Sequence, residues 1–237
     1  MSADRRQAGG VDPPYLHADY RSTAIRAPLR PPLRIVYGPS ELSGPTGAAL
    51  LAGRAQVEGA DLTRQHAGEP LGERIIVHGR VLDARHRPLP DTLVEVWQAN
   101  AAGRYAHEVD QHPAPLDPNF TGAGAFLTDS EGRYRLVTIK PGAYPWRNHP
   151  NAWRPAHIHF SVFGRSFSQR LITQMYFPGD PLLAYDPVFR SIPSPAARES
   201  LVSVFDPSHT VEEWALAYRF DITLGGRDGR EGREGAT

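Results

Sequence analysis

Trp214-Ala215-Leu216-Ala217-Tyr218-Arg219-Phe220-Asp221-Ile222-Thr223-Leu224 sets a large apolar side chain at every second position, with small or polar residues between. A period of two is the mark of a strand with one buried face. Working back along the chain, short segments of the same kind recur. Residues 75–82 are rich in β-branched side chains and run into Asp83-Ala84-Arg85-His86-Arg87-Pro88, a turn by composition. Residues 92–98 place Leu93, Glu95 and Trp97 on one face and Val94 and Val96 on the other. Residues 125–128 and 134–139 flank Asp129-Ser130-Glu131-Gly132, which has hairpin-turn chemistry. Residues 156–163 and 170–177 supply two more strands, and 194–205 reads as a short helix with Leu201, Val202 and Phe205 on one side. Many short strands, dense turns and little helical periodicity predict an all-β fold, a β-sandwich.

Two long loops, 100–124 and 141–155, interrupt the strands. Loops of that length inside a compact domain usually carry function. The first part of the chain differs in character. Segments such as Arg30-Pro31-Pro32 favour extended backbone, and the apolar stretch 47–52 reads as a helical turn. We read residues 1–70 as an extended N-terminal arm that lies on a partner, 71–225 as the sandwich domain, and 226–237, mostly Gly, Arg and Glu, as a flexible tail.

The composition excludes several classes. Lys plus Arg number 26 and Asp plus Glu number 26, so no basic excess points to nucleic acid. No apolar run approaches the roughly 18 residues of a membrane-spanning helix, and the first ten residues lack the apolar core of a secretory signal, so a cytoplasmic location is expected. The count of cysteines is 0, which rules out disulfides, thiolate metal sites and cysteine nucleophiles. A metal here must be held by His, Tyr, Asp or Glu.

The strongest chemical signal is Trp153-Arg154-Pro155-Ala156-His157-Ile158-His159-Phe160. On a strand His157 and His159 point the same way, with Cα atoms about 6.5 to 7 Å apart, close enough to share a metal ion. Ile158, Phe160 and Val162 then face the core. Cupin-type sites need a Glu soon after the second His, and none occurs before Glu199. His149 and His107 are available to a zinc site but carry no spacing signal. The long loops instead offer tyrosines: Tyr105 in Gly103-Arg104-Tyr105, and Tyr144 in Ala143-Tyr144-Pro145-Trp146, where the following proline holds it extended. Each piece alone also has a plain reading. The histidines fit hydrogen-bonded side chains, the tyrosines and Trp97 and Trp146 fit core residues, Arg154 fits a surface ion pair, and Gln174 fits a core amide.

Taken jointly, these segments resemble the intradiol ring-cleaving dioxygenases. The resemblance is carried by Trp97-Gln98-Ala99-Asn100 with Gly103-Arg104-Tyr105, by Leu116-Asp117-Pro118-Asn119-Phe120, by Ile139-Lys140-Pro141-Gly142 with Tyr144-Pro145-Trp146-Arg147-Asn148, by the Arg154–His157–His159 segment, and by Leu171-Ile172-Thr173-Gln174-Met175-Tyr176-Phe177-Pro178-Gly179-Asp180-Pro181. It covers nearly the whole chain. The resemblance implies a sandwich of mixed-topology sheets with a transthyretin-like core and long active-site loops. It implies a non-haem Fe(III) held by Tyr105, Tyr144, His157 and His159, with Tyr144 and His159 axial, Tyr105 and His157 equatorial, and hydroxide in a fifth position. It further implies that Arg154 stabilises charge on the substrate ring, that Gln174 lines the oxygen side, and that Trp97 and Trp146 wall the slot with Tyr20 of the arm nearby. The resemblance also implies that Tyr144 leaves the metal when a catechol chelates it.

Within the family the likeness is greatest to the branch that cleaves protocatechuate with O2 to 3-carboxy-cis,cis-muconate, in the beta-ketoadipate route of aromatic catabolism. That branch pairs a metal-bearing subunit with a homologous alpha subunit that lacks the ligands, so a hetero-oligomer is expected. Two competitors stand beside it. A catechol or hydroxyquinol 1,2-dioxygenase normally carries a helical N-terminal region, which these Pro-rich first seventy residues do not suggest. A non-enzymatic transthyretin-like binding module accounts for residues 75–144 but gives no reason for Arg154, His157 and His159.

Overall fold

The computed structural model describes His17 and residues 61–146, 152–164 and 170–224. Most of the expected arm, including Tyr20 and the apolar stretch 47–52, and the tail 226–237 lie outside the described residues. Eleven strands are present among them: β1 (Arg74–Asp83), β2 (Leu93–Gln98), β3 (Ala123–Leu127), β4 (Arg133–Ile139), β5 (Tyr144–Trp146), β6 (Ala152–Arg154), β7 (His157–Phe163), β8 (Arg170–Tyr176), β9 (Val204–Phe205), β10 (Leu216–Arg219) and β11 (Ile222–Leu224). Two short helices, α1 (Pro187–Arg190) and α2 (Pro195–Glu199), follow β8.

The strands form two sheets of different kinds. In the first, β1 pairs antiparallel with β4 along its length; its other edge pairs in parallel with β10 and then β11, and β9 flanks β10. The second is antiparallel throughout, in the order β3-β2-β7-β8. A separate hairpin joins β5 to β6. The mixed-topology sandwich expected from the sequence is therefore what forms. Its core lies between the two sheets. Ile75, Val77, Val81 and Leu136 of the first sheet meet Val94, Val96, Phe126, Ile158, Phe160 and Val162 of the second, each at most 2% exposed. Each such side chain contributes about 1.5–3 kcal/mol by leaving water.

The turns form where their chemistry dictates. Asp83 accepts through Oδ1 from the amides of Arg85 and Arg87 at 2.8 and 2.9 Å, and Asp129 does the same for Glu131 and Arg133 at 2.9 and 2.7 Å. Gly132 takes φ +68°, and a Cβ there would lie 2.8 Å from the carbonyl oxygen of Val81.

Three expectations change. The alternating run 214–224 is not one strand but two, broken at Phe220 and Asp221. The amide of Phe220 donates to the His78 carbonyl at 2.8 Å, but at the next step the Asp221 carboxylate takes the Arg80 amide at 2.9 Å, in place of a backbone partner. Gly79 permits the crossing, since a Cβ there would sit 2.0 Å from the Phe220 oxygen. The buried face also shifts: Tyr218, Phe220, Ile222 and Leu224 are buried, but Trp214 and Leu216 are each 39% exposed. Ala215 and Ala217 are buried in their stead, against Ile76 and Val137 on the far side of the sheet. Second, residues 194–205 hold only one turn of helix, α2. Tyr176 captures the rest, accepting from the amide and hydroxyl of Ser203 at 2.8 and 2.9 Å and so steering the chain into β9. Third, Arg154 sits on β6 rather than in a loop.

Candidate metal centre and active site

The register of the second sheet creates the site. Trp97 on β2 stands beside His159 on β7, which stands beside Gln174 on β8; in the next row His157 stands beside Tyr176. All point away from the core, because Ile158, Phe160 and Val162 fill the other face. His159 stacks on the Trp97 ring at 4.8 Å with planes 4° apart. Its ring lies 4.9 Å from that of His157. His157 is buried, and its Nδ1 donates to the Pro155 carbonyl at 2.7 Å, leaving Nε2 as the ring's free lone pair. Asp180 anchors the same segment by accepting from the Ala156 amide at 3.1 Å.

The two tyrosines arrive from two loops that are locked together. Asn100 folds the first loop, accepting through Oδ1 from the amides of Ala102 and Arg104 at 3.0 Å each, while its carbonyl takes the amides of Gly103 at 3.0 Å and Gly142 at 2.9 Å. Gly142 belongs to the second loop. A Cβ on Gly103, at φ +80°, would lie 2.3 Å from the Ala143 oxygen, and one on Gly142 would lie 2.3 Å from the Ala101 oxygen. Only hydrogen fits at this contact. Beyond it Tyr105 and Tyr144 meet edge to face at 5.7 Å. Asp110 steadies Tyr105 by accepting its backbone amide at 2.8 Å. The Tyr144 hydroxyl lies 3.5 Å from Nε2 of His157, and the Tyr105 ring lies 6.4 Å from that of His159.

Arg154 closes the site from β6, where it pairs with Tyr144 across the hairpin. It is only 5% exposed. Its Nε lies 3.1 Å from Oδ1 and 3.2 Å from Oδ2 of Asp186, which is 0% exposed. Its Nη2 donates to Oε1 of Gln174 and, at 3.4 Å, to the Tyr176 hydroxyl. That hydroxyl also reaches Gln174 at 2.8 Å and Asp186 at 3.2 Å. The guanidinium lies 5.5 Å over the Trp146 ring. Burial alone would weaken its charge, but Tyr176, Asp186 and Tyr144 together hold its pKa above the ordinary value.

The protonation states leave the imidazoles ready to act as ligands. Burial, and next the Arg154 charge, drive His157 well below its usual pKa and bring His159 down to about 3, so both imidazoles are neutral ligands at pH 7. Burial raises both phenols; the proximity of Tyr144 raises Tyr105 further, whereas Arg154 opposes the rise at Tyr144. The Tyr105 hydroxyl is buried and, although Tyr144 is close enough to influence it, makes no hydrogen bond of good geometry. A buried orphan oxygen costs on the order of 1–3 kcal/mol, and a metal ion that takes it as phenolate removes that cost. Two hard oxygens and two imidazoles, with no thiol nearby, fit a hard iron ion.

Every sequence-predicted site residue among the described ones, Trp97, Tyr105, Tyr144, Trp146, Arg154, His157, His159 and Gln174, is thus part of one cluster; Tyr20 lies outside the described residues. Sequence reasoning missed Asp186, Tyr176 and Asp110. Asp186 had a visible signal, an Asp-Pro step that caps α1 by accepting the Val188 amide at 2.9 Å, but nothing local tied it to Arg154. No helix among the described residues is long and apolar enough to cross a membrane.

Comparison with known proteins agrees with the geometry. Residues 46–226 match the family model described as "Dioxygenase", and residues 5–36 match "Protocatechuate 3,4-dioxygenase beta subunit N terminal". The chain is 58% identical over 228 residues to the protocatechuate 3,4-dioxygenase beta chain of Burkholderia cepacia, covering 91% of each. It is 31% identical over 194 residues to the protocatechuate 3,4-dioxygenase alpha chain of Pseudomonas putida, covering 79% of this chain and 91% of that one. Among solved structures, 3-chlorocatechol 1,2-dioxygenase from Rhodococcus opacus 1CP superposes with a TM-score of 0.54 at 27% identity, over 71% of this chain and 68% of that one. The chain belongs to the intradiol ring-cleaving dioxygenase family.

Proposed function

We propose that Tyr105, Tyr144, His157 and His159 hold one ferric ion, and that the enzyme inserts both atoms of O2 into protocatechuate, cleaving between its two hydroxyl-bearing carbons to give 3-carboxy-cis,cis-muconate. The single observation behind this reading is the convergence on one site of two neutral imidazoles and two phenols, one of them buried without a hydrogen bond of its own. Bound there, ferric iron supplies Lewis acidity to the phenols and to the hydroxyls of a catechol.

The chain's own residues do the rest. Trp97 fixes the His159 ring by stacking, and the Pro155 carbonyl fixes that of His157. Tyr144, on a short hairpin, holds a proton-accepting oxygen 3.5 Å from His157, placed to receive a proton from the incoming diol. Arg154 presents a fixed positive charge to the anionic ring, and Asp186 and Tyr176 keep it from swinging away. Gln174 has its carbonyl end occupied by Arg154 and Tyr176, so its amide nitrogen is the end available to line the oxygen side. Since Asp186 already matches Arg154, the substrate carboxylate takes its counter-charge from elsewhere, beside Tyr20. We assign that charge to a homologous alpha subunit, with residues 1–70 as the arm that contacts it, 71–225 as the catalytic sandwich, and 226–237 as a tail, in a cytoplasmic hetero-oligomer. The similarity to beta and alpha chains supports this pairing.

Metal analysis and the visible spectrum of the assembled protein test the metal: one iron per chain and a reddish tyrosinate-to-iron band are expected. A colourless protein, active with zinc, would refute it. Turnover of protocatechuate against catechol tests the substrate, and preference for catechol would move the assignment to the catechol dioxygenases.

A further inference from the structure

A second group of side chains of metal-ligating type lies on the other sheet. His78 is on β1, Asp206 follows β9, and His209 lies in the turn that leads towards β10. Nε2 of His78 is 3.0 Å from Oδ2 of Asp206, and Nδ1 of His209 is 2.8 Å from the same oxygen. The two rings stack at 4.1 Å. All three ligand atoms fall within 4.8 Å of one another.

The fold enforces this meeting. Tyr218 pairs with both Val77 and Phe205, and Arg219 pairs with both His78 and Val204, so β10 carries the turn after β9 alongside β1. The Asp206 amide donates to the Ala217 carbonyl at 2.8 Å, and Thr210 pins the turn by donating to the Asp206 carbonyl at 3.0 Å. Ser208 donates to the other carboxylate oxygen, Oδ1, from its amide at 2.9 Å and its hydroxyl at 2.5 Å, which leaves Oδ2 for the imidazoles.

Two imidazoles sharing one carboxylate would account for the distances alone. The His78 nitrogen fits such a pair poorly. It is buried and, although 3.0 Å from Asp206, makes no hydrogen bond of acceptable geometry. Ligands about 2.0–2.1 Å from a zinc ion in a tetrahedron lie roughly 3.3 Å apart, near the 3.0 and 2.8 Å that separate the two imidazole nitrogens from the Asp206 oxygen. The group also borders an open groove of about 1210 Å³, which gives an ion a path in and leaves coordination positions for water.

We propose that His78, Asp206 and His209 form a second metal site, for a divalent first-row cation such as Zn2+, that ties the turn after β9 to β1. Two imidazole nitrogens and one carboxylate oxygen make a borderline donor set suited to such ions. The site holds whether or not the assignment of the iron centre does.

The test is calorimetric titration of the assembled, iron-loaded protein with Zn2+ after removal of loosely bound metal. One further equivalent per chain is expected, with the iron absorbance unchanged and the unfolding midpoint raised by Zn2+. His209 is 60% exposed as a side chain, so His209→Ala leaves the fold intact. It should weaken Zn2+ at least about tenfold, since losing even a partner of a ligand costs that much. Asp206→Asn should do the same, whereas replacing His86, an exposed histidine of the same groove, should change nothing. Zn2+ bound equally well by His209→Ala, or no uptake tighter than about 100 μM, would overturn the proposal.

Discussion

His159 and Phe160 are neighbours on β7 and inhabit opposite faces of one sheet. Phe160 is fully buried among Val96, Ile158 and the strands of the facing sheet. His159 stands between Trp97 and Gln174 in a site closed by two loops and a hairpin. The core face is defined by volume and apolarity, which many sequences satisfy. The site face is defined by particular atoms at particular places, and its groups are costly without one another: neutral imidazoles, an orphan phenol and a buried ion pair. One strand therefore carries two kinds of constraint, one residue apart.

The sharpest way to break this contrast is His159→Ala. Iron content should fall towards zero and turnover with it, while the unfolding midpoint of the metal-free protein stays close to the parent's. A variant with full iron and full rate would show that the site face does not hold the metal.

Arg154→Ala should lower kcat by about 10² to 10³, as losing a preorganised donor does elsewhere, with iron retained. It should also destabilise the protein by about 3–5 kcal/mol, because Asp186 is left as a buried, unmatched charge. The double variant Arg154→Ala/Asp186→Asn separates these effects: stability should recover and turnover should not. Recovery of both would make Arg154 a structural residue only.

Phe160→Ala should have the smallest effect on catalysis and a large one on stability. A loss of about 3–5 kcal/mol is expected from the cavity, read by denaturant unfolding. The rate per bound iron should stay within about twofold, well under the 1.4 kcal/mol that a tenfold change represents. A large fall in that rate would mean that the two faces are coupled.

Much of this was legible in the residues because alternation is local. His157 and His159 sharing a face, with Ile158, Phe160 and Val162 on the other, follows from pleat geometry alone. The tyrosines, Arg154 and Gln174 were legible only jointly, through resemblance, since each has a commoner use. What could not be read involves partners far along the chain. The run 214–224 alternates well enough for one strand, and breaks because Asp221 caps an amide on β1. Trp214 and Leu216 lose the buried face to two alanines that pack against Ile76 and Val137 on the far side of the sheet. Arg154 reads as a surface cation until β8 and the segment before α1 bring Tyr176 and Asp186 to it.

The contact between Gly103 and Gly142 makes the two tyrosine-bearing loops behave as one part. Backbone meets backbone there, so the distance between Tyr105 and Tyr144 is set by main-chain thickness, not by the side chains that face a ligand. Redesign of substrate range by exchanging pocket residues will leave that gauge untouched. A graft of either loop alone from a relative would inherit half of a matched pair, and successful transfers should be those that move both loops together.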